Sequence, residues 1–508
     1  MTISVDEIEL KYDVPNGTML PPLDGLPEVA AESDPDEQCL EARYYDTADL
    51  RLLRAGITLR RRRGGSDAGW HLKLPIGPAA RREIRLPLSR RGSRSSPVPA
   101  ELAALVRARI RREPLQPVAI IRTNRRRRLL LDNAGSSLAE LVADEVSAET
   151  LGGSTSISHW YEVEVELTGG GRDLLDAADA RLRRGGLQRA ANAAKLERAL
   201  AGQLPPAAAR RRLTRRSSAG DVVLRYLSDQ AETLAAMDPM VRQDEPDAVH
   251  QMRVAARRLR AALQAFAPLL RGPRCEQLTA ELRWLGGVLG VPRDTEVLSL
   301  RLQQQLAEIP ADLVLGAPAE RLRLHFAPLA ADGRKALLAA LDSERYLDLL
   351  DSLDELLADP LLTPRAARPA AAVLPALVGR CYRRVARRLR KAPVKPGPDR
   401  DSALHDARKA AKQARYAAEA VSPALGGRAE RFAGQMKELQ TVLGDHQDAV
   451  IARGVDRELG ISAHLAGDNA FTFGLLHERE RVAALQLHDQ ARQEWRRASR
   501  PQYRRWIR

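Results

Sequence analysis

The first residues of the chain that could do chemistry are Glu7, Glu9 and Lys11, in the stretch VDEIELKY. They are two residues apart, with Ile8 and Leu10 between them. On a β-strand this spacing puts the three charges on one face and the apolar pair on the other. The pattern has two interpretations: a strand with one solvated face, or carboxylates that line a cavity and bind Mg²⁺ or Mn²⁺ through oxygen atoms. A motif this short on its own favours the solvated strand.

Other strand-like stretches of the N-terminal half also carry charges at alternate positions. They are GITLRRRR, GWHLKLP, REIRLPL, AIIRTNRRRRLLLD and YEVEVEL, and the alternating charges are Arg60 and Arg62, His71 and Lys73, Glu83 and Arg85, Arg122, and Glu162, Glu164 and Glu166. If the sheet closes into a barrel, these charged faces line its interior. Guanidinium groups there would bind a phosphate chain, and carboxylates would bind divalent cations. We expect a packing or hydrogen-bonding role for His71.

The composition constrains the ligand. Lys and Arg number 81 against 66 Asp and Glu, which gives a formal charge of +15 and a pI near 10.1. Such a chain favours polyanions: nucleic acid, anionic lipid or phosphate chains. Aromatic residues make up 4%, which argues against a surface that stacks single-stranded bases. We expect no sequence-specific binding of nucleic acid, because the partner would be recognised through its phosphates.

Cysteine usage and hydropathy indicate a cytoplasmic protein. Cys39, Cys275 and Cys381 are odd in number and far apart, which suggests neither a disulfide framework nor a thiolate metal site. The stretch MTISVDEIEL lacks the basic and apolar regions of a signal peptide. The longest apolar run, residues 370–378, is too short to cross a membrane. We therefore expect a soluble protein without membrane partners.

The chain divides into two halves with different periodicity. Residues 1–200 are strand-like, residues 201–220 form a linker rich in Pro, Ser and Arg, and residues 221–508 have helical spacing throughout. The helical half repeats itself: His250 matches His405 at an offset of 155 residues, and Leu289 matches Leu443 at an offset of 154. Two matches at nearly one offset predict a duplicated unit, and each unit has the length of a four-helix bundle.

Each copy of the repeat carries a basic stripe on one helix face. The stripes are His250, Arg253, Arg257 and Arg260 in the first copy, and His405, Arg408, Lys412 and Arg415 in the second. Their spacing of three or four residues places each set within one arc of a helix. A charged stripe is usually a solvated face, but a solvated face has no reason to keep a histidine at the same register in both copies. Histidines with an ordinary pKa near 6.5 would add charge as the pH falls toward 6.

The N-terminal half resembles the CYTH domain, the family of triphosphate tunnel metalloenzymes. The matching stretches are EIELKY, YYDTADLRLLRAGITLRRRRGG, WHLKLP, RREIRLP, LVADEVSA, YEVEVEL and AAKLERAL, in the family's order. The resemblance implies an eight-stranded antiparallel tunnel and catalysis that depends on Glu7, Glu9 and Lys11. It implies a metal bound by Glu7, Glu9, Glu162 and Glu164, and a triphosphate bound by Lys11, Arg60, Arg62, Lys73, Arg85, Arg122 and Lys195. Two departures concern the grip on substrate: Ala194 precedes Lys195 where the family usually has serine, and Asn124 stands where a basic residue is often found.

The C-terminal half resembles the CHAD domain, a helical domain named for its histidines. The matching stretches are VHQMRVAARRLRAAL, LGVPRDTEV, LHDARKAAKQARYAAE and LGDHQDAV. The resemblance implies two pseudo-symmetric four-helix bundles with a basic surface that binds inorganic polyphosphate. Asp294 and Asp448 follow the stripes; we expect them to cap helices rather than to orient the basic side chains.

The sequence as a whole therefore predicts a multidomain α+β protein that resembles a CYTH–CHAD fusion. The predicted function is metal-dependent hydrolysis of inorganic triphosphate or short polyphosphate, with a helical module that recruits long polyphosphate, in the cytoplasm or on its polyphosphate granules. Two alternatives stay open at this point: a polyphosphate-binding adaptor without turnover, and an adenylyl cyclase or another enzyme of organic triphosphates. The intact Glu7, Glu9 and Lys11 favour an active tunnel over the adaptor.

Overall fold

The structure of the chain is a computed structural model with two compact units, Met1–Ala209 and Arg210–Arg508. It describes residues 3–15, 18–77, 80–88, 97–152, 155–190, 194–204 and 211–507, and it describes residues 3–7 by their backbone alone. The first unit is built on a β-sheet with a few helices, and the second is helical. Within the described ranges, no helix combines the length and the apolarity needed to cross a membrane.

The N-terminal unit contains ten strands and four helices in its described residues. The strands are β1 (Ile3–Asp13), β2 (Ala31–Glu32), β3 (Asp36–Asp46), β4 (Thr58–Arg63), β5 (Gly69–Pro75), β6 (Ala80–Pro87), β7 (Gln116–Leu131), β8 (Ser137–Thr150), β9 (Ile157–Leu167) and β10 (Gln188–Arg189). The helices are α1 (Arg51–Arg54), α2 (Ala100–Ile110), α3 (Arg172–Arg184) and α4 (Lys195–Ala199).

Eight of these strands close into a barrel. Their order is β1-β6-β5-β4-β3-β7-β8-β9, and β9 pairs again with β1. Every pairing around the ring is antiparallel. Closure leaves no free edge along the main sheet, and the alternation of side chains then gives one face to the lumen and the other to the outside. The predicted antiparallel tunnel is confirmed.

The strand register places residues of opposite charge directly opposite each other on neighbouring strands of the barrel. Lys11 lies opposite Glu164, and Lys73 lies opposite Glu83. Since the lumen is charged, the apolar core lies outside the barrel, where α3 covers β1, β8 and β9. Tyr12, Val165 and Leu182 are fully buried in this core.

The first helix of the helical unit begins at Ala219. Its helices are α5 (Ala219–Arg242), α6 (Ala248–Ala265), α7 (Arg274–Val288), α8 (Gly290–Ala307), α9 (Pro318–Leu341), α10 (Glu344–Ala358), α11 (Ala370–Lys391), α12 (Pro398–Leu425), α13 (Gly427–Leu465), α14 (Phe471–Ala498) and α15 (Pro501–Arg504). Short 3₁₀ helices occur at Ala267–Leu269, Ala311–Leu313, Pro364–Ala367 and Arg505–Ile507.

The two copies of the repeat can be followed helix by helix. The first stripe lies on α6 and the second on α12, and the long helix α13 of the second copy corresponds to α7 and α8 of the first. The division between α7 and α8 has a local cause. Pro292 cannot donate a backbone hydrogen bond to Val288, and its ring crowds that carbonyl group; at the same position of the second copy, His446 lets α13 continue. The first copy also contains α10.

Candidate active site and anion-binding groove

One side of the tunnel is acidic and is formed by the adjacent strands β8, β9 and β1. Asp144, Glu162 and Glu164 are buried, and each offers a carboxylate oxygen within 4.8 Å of the others. Glu9 faces the same lumen from β1. Burial by itself would raise the pKa of Glu164, but the charges of Lys11 and Lys195 outweigh it and hold that pKa well below its ordinary value. The group therefore remains ionised.

The acidic side already holds a cation. The Lys195 ammonium, carried by the first residue of α4, lies 2.9 Å from Asp144 Oδ2, 2.6 Å from Glu162 Oε1 and 2.8 Å from Glu164 Oε1. Burial opposes this charge, but the three carboxylates raise the pKa of Lys195 well above its ordinary value. Lys11 Nζ adds contacts of 2.7 Å to Glu164 and 3.3 Å to Glu9. The donor set is thus of the right charge and size for a cation.

These same oxygen atoms fit a hard divalent cation. Mg²⁺ and Mn²⁺ prefer carboxylate ligands, and here three carboxylates converge where an ammonium is already stabilised. Of the residues predicted as metal ligands, Glu162 and Glu164 belong to this cluster and Glu9 lies beside it. The side chain of Glu7 is outside the described residues. Asp144, which the sequence prediction did not include, is the third member.

The other side of the tunnel is basic and is formed by β4, β5 and β6. In the closed strand order, β4 and β5 lie four strands away from β9 and β8, and therefore across the lumen from the acidic cluster. The two sides enclose a cavity of about 190 Å³. The cations that line it from these strands are Arg60, Arg62, Lys73, Arg81 and Arg85.

A fully buried carboxylate, Glu83, organises this basic side. Its Oε1 atom lies 3.6 Å from Arg60 Nη2 and 3.7 Å from Lys73 Nζ, and Oε2 accepts a hydrogen bond from Arg85 Nε. Although burial raises the pKa of Glu83, the hydrogen bond with His71 and the nearby cations lower it below the ordinary range. The ring of His71 lies between Glu83, at 2.9 Å from Nδ1, and the carbonyl oxygen of Asp67, at 2.8 Å from Nε2. His71 therefore has the hydrogen-bonding role that the sequence predicted.

The structure brings most of the predicted tunnel residues together. Those that line the cavity are Glu9, Lys11, Arg60, Arg62, Lys73, Arg85, Glu164 and Lys195. Arg122 is not among them, and its predicted interior position is wrong. Its guanidinium lies on the outer face, 3.2 Å from Glu41 and 3.6 Å from Glu149, with half of the side chain exposed.

The cations of β7 that line the cavity are Arg125 and Arg127. Arg125 is three residues further along the strand than Arg122 and therefore lies on the opposite face. It makes two hydrogen bonds to Asp144, of 2.9 and 2.8 Å, and its Nη2 atom lies 3.4 Å from Glu164. In the sequence, Arg125 and Asp144 belong to two stretches with alternating charges, RTNRRRR and LVADEV. Their pairing could be predicted only with the register of the two strands, which the sequence does not show. Asn124 also lies on the outside, where it donates to Glu145.

The helical unit contains a second charged cavity, of about 510 Å³, which both copies of the repeat line. Arg253, Arg257 and Arg260 reach it from α6; His405, Arg408 and Lys412 reach it from α12; Arg283, Arg384 and Arg388 add to it from α7 and α11. We call this cavity the basic groove. The two stripes thus face one another across a single groove.

Most of the cations in the basic groove lack a carboxylate partner. Among the described residues, Arg257, Arg260, Arg408 and Lys412 make no hydrogen bond or salt bridge, and the buried Nδ1 atom of His405 also has no partner. Buried donors without partners are rare and costly. Their convergence on one cavity indicates a site for an anion.

Two stripe residues lie away from this groove. Arg415 is paired with Glu419 at 2.6 Å and lies beside the ring of Tyr416, and His250 is not among the residues that line the cavity. Burial and neighbouring cations lower the pKa of both His250 and His405 below the ordinary value. The expected charging of the histidines near pH 6 is therefore shifted to lower pH.

Asp294 orients a basic side chain, contrary to the expected capping role. It is the fifth residue of α8, and its two oxygens accept hydrogen bonds of 2.6 and 3.0 Å from Arg253. Gly290, one turn earlier, allows this arginine to approach, because a Cβ atom there would lie 3.3 Å from its guanidinium. The second copy repeats the arrangement with Gly444 beside Arg408.

Comparisons with known proteins agree with this architecture. The CYTH domain model matches residues 6–194, and the CHAD domain model matches residues 225–455. Two uncharacterised proteins from two strains of Mycobacterium tuberculosis are 38% identical over 506 residues, which cover 95% of this chain and 94% of each relative.

Solved structures similar to the chain include two that cover more than half of it. PptA from Streptomyces chartreusis has 25% identity and a TM-score of 0.48, with 55% of this chain and 100% of that chain covered. The CHAD domain from the plant Ricinus communis has 24% identity and a TM-score of 0.41, with 60% of this chain and 97% of that chain covered. Members of the CYTH family are metal-dependent triphosphate tunnel enzymes. The two matched domains and the relatives aligned over nearly the whole length show that this chain belongs to the proteins that join an N-terminal CYTH domain to a C-terminal CHAD domain.

Proposed function

We propose that the tunnel hydrolyses inorganic triphosphate or short polyphosphate with Mg²⁺ or Mn²⁺, and that the basic groove binds longer polyphosphate. The observation that carries the first part is the division of the lumen into an acidic side on β8, β9 and β1 and a basic side on β4, β5 and β6. A phosphate chain that carries a divalent cation has the same two-sided character. It would place its oxygens against the cations and its metal against the carboxylates.

The basic side supplies the phosphate contacts. Arg60 and Arg62 are planar guanidinium groups on alternate positions of β4, and Lys73 adds a point charge from β5. Guanidinium groups bind phosphate oxygens through two parallel hydrogen bonds. Glu83 forms ion pairs with Arg60 and Lys73 and accepts a hydrogen bond from Arg85. These cations are therefore positioned before the substrate binds. Positioned charge of this kind stabilises the charge that develops during phosphoryl transfer.

The acidic side supplies the metal ligands. Glu9, Asp144, Glu162 and Glu164 would hold the cation, which when bound neutralises the phosphate chain and polarises its phosphorus. Lys11 lies between Glu9 and Glu164 and keeps both ionised, since its charge lowers the pKa of each. No nucleophilic side chain is required, because water is the attacking group in hydrolysis.

The dimensions of the cavity favour an inorganic chain over a nucleotide. A volume of about 190 Å³ is smaller than the ~300–1,000 Å³ of typical pockets for drug-sized ligands. Its lining is charged, and Tyr44 is the aromatic residue among the described groups that form it. A cyclase or another enzyme of organic triphosphates would need an additional apolar surface for its base, so this alternative is less well supported.

The test is phosphate release from inorganic triphosphate, ATP and thiamine triphosphate with Mg²⁺ or Mn²⁺. We expect the inorganic substrate to be preferred and EDTA to abolish turnover. Glu9→Gln should also abolish it, whereas Glu37→Gln, on the exposed outer face of β3 beside Arg126, should not. Activity that survives excess EDTA would contradict the metal assignment, and a chain that binds but never cleaves triphosphate would favour the adaptor.

The basic groove supports the second part of the proposal. Cations from both copies of the repeat converge on one cavity and lack partners, so a ligand with many regularly spaced negative charges complements them. A chain long enough to touch both stripes would gain from the second contact, which becomes intramolecular after the first.

A further inference from the structure

Lys412 has an unusual environment at the centre of the basic groove. It lies in the middle of α12, between Arg408 on its own helix and Arg253 and Arg257 on α6, and Asp448 faces it from α13. Within the described residues, its ammonium has no hydrogen bond and no carboxylate within salt-bridge distance. This half-buried amine, surrounded by guanidinium groups, is therefore held in a field that opposes its charge.

The electrostatics of the groove follow from this geometry. Burial, and then the charges of Arg408, Arg257 and Arg253, lower the pKa of Lys412 to about 6. Asp448 acts in the other direction, but burial raises the pKa of its own carboxyl group and weakens that effect. The arginines cannot respond in the same way, because they stay protonated across the physiological range. Among the described groups of the groove, Lys412 is thus a cation that can gain or lose its charge near neutral pH.

We propose that binding of a polyphosphate chain in the basic groove takes up one proton from solvent, and that the Lys412 amine accepts it. The inference rests on the proposed binding of polyphosphate by the groove, and it makes the affinity of that binding dependent on pH. Phosphate oxygens beside the amine stabilise its ammonium form, and they also screen it from the neighbouring guanidinium groups. The neutral amine becomes an ammonium ion, and the proton comes from the buffer.

The sign and the pH window of the effect can be stated. The bound anion raises the pKa of Lys412 above its value in the free protein, which is about 6. Between the free and the bound pKa, each bound chain takes up one proton, so the affinity falls by about tenfold for each unit of pH increase. His405 lines the same groove, and burial lowers its pKa below the ordinary value. The bound anion favours its charged form too, so the share of Lys412 in the proton uptake is the difference between the wild type and the Lys412 variants.

The experiment is isothermal titration calorimetry of long-chain inorganic polyphosphate into the full chain, in EDTA to prevent turnover. Titrations at about pH 8 in two buffers of different ionisation enthalpy give the number of protons taken up. The variants are Lys412→Arg, which keeps a charge at all pH values, and Lys412→Met, which never carries one. Lys437→Arg is the control, because this lysine is exposed on α13 and does not line the groove.

We expect the wild type and Lys437→Arg to take up close to one proton more than either Lys412 variant. The affinity of Lys412→Arg should also be nearly independent of pH above neutrality. Equal proton uptake in the wild type and both Lys412 variants would overturn the inference. Binding without any proton uptake overturns it too and leaves the proposed function standing, whereas an absence of polyphosphate binding contradicts both.

Discussion

The tunnel and the basic groove use the same kinds of cation in opposite electrostatic situations. In the tunnel, Lys195 touches three carboxylates and Lys11 touches two, and their pKa values are raised. In the groove, Lys412 touches no carboxylate of the described residues, and its pKa is lowered to about 6. Burial lowers the pKa of a lysine in both places, so the difference comes from the partners.

Two half-buried arginines show the same contrast. In the tunnel, burial lowers the pKa of Arg125, but the negative charge of Asp144 has the larger effect and the pKa is raised. In the groove, burial and the positive charge of Arg253 both lower the pKa of Arg257. Arg62 is an exception within the tunnel: burial and the adjacent Arg60 lower its pKa to about 10. Asp67, 2.6 Å from the Nη2 atom of Arg62, acts in the other direction.

The difference separates two ways of binding phosphate. A tunnel whose charges are already paired fixes each side chain in one position, which suits a reaction that depends on geometry. A groove whose cations repel one another is stabilised most by a bound anion. It does not require one particular conformation of that anion, which suits a long flexible polymer. Changes in the tunnel should consequently act through geometry, and changes in the groove through charge.

The largest effect is expected from Glu164→Gln. This carboxylate contacts Lys11, Lys195 and Arg125 at once, so its neutralisation removes a proposed metal ligand and weakens the hold on three cations. Turnover of inorganic triphosphate should fall by about 10²–10³-fold or more, as it does when one preorganised charge is lost elsewhere. Phosphate release with Mn²⁺ or Mg²⁺ measures this.

The matched control is Glu145→Gln on the neighbouring strand β8. Glu145 points outward, where it accepts hydrogen bonds from Asn124 and Tyr161, and its neutralisation should leave turnover unchanged. Thermal melting of both variants separates a catalytic effect from unfolding. A folded Glu164→Gln chain with wild-type turnover would show that the pairing in the tunnel is structural.

The sequence predicted most of the tunnel residues. Where charged and apolar residues alternate along a strand, the apolar residues identify the outer face, and the charged residues between them therefore point into the lumen. Leu59 does this for Arg60 and Arg62, and Ile8 and Leu10 do it for Glu9 and Lys11. In β7 the apolar residues do not identify the outer face, because Ile120 and Ile121 are adjacent and point to opposite faces. Arginines then follow on both faces. Alternation alone therefore could not exclude Arg122 or select Arg125.

Partners on different elements were also beyond the sequence. Asp144 becomes a site residue because β8 pairs with β7 and β9 in one register, and that register depends on the closure of the whole barrel. Asp294 lies 41 residues from Arg253 on another helix. Its position near the start of α8 suggested a cap, and only the packing of α6 against α8 shows the contact. The duplication, in contrast, was readable because it depends on spacing alone.

A smaller effect is expected from neutralising either stripe. Arg253→Ala/Arg257→Ala and Arg408→Ala/Lys412→Ala should each weaken binding of long polyphosphate by about 10–100-fold, by analogy with the loss of phosphate contacts on DNA. The dependence of affinity on salt should become less steep, because fewer counterions are released. Short chains should be affected less, since they do not reach both stripes. A salt titration of binding measures both quantities.

The control for this pair removes the same charge elsewhere. Arg323→Ala/Arg481→Ala deletes two exposed arginines, each paired with a glutamate three residues earlier on its own helix. Its affinity and salt dependence should match the wild type. If the stripe variants behaved like this control, the stripes would be solvated surfaces and the contrast between tunnel and groove would disappear.

The smallest effect, and the one that sharpens the contrast most, is expected from Asp294→Asn. Within the described residues, Asp294 makes Arg253 the one member of the first stripe with a carboxylate partner, through two hydrogen bonds. This pairing resembles the paired cations of the tunnel. Neutralisation of Asp294 removes a charge that repels the polyanion and frees Arg253, which should raise the affinity for long polyphosphate by about two- to tenfold, in the range of single charge effects at interfaces. Asp406→Asn, which loosens the contacts with Arg388 and Lys409, is a control for the loss of one negative charge from the lining of the groove. Binding titrations at fixed salt measure both variants. A loss of affinity in Asp294→Asn would mean that the arginine must be held in place to bind, and that the groove depends on geometry as the tunnel does.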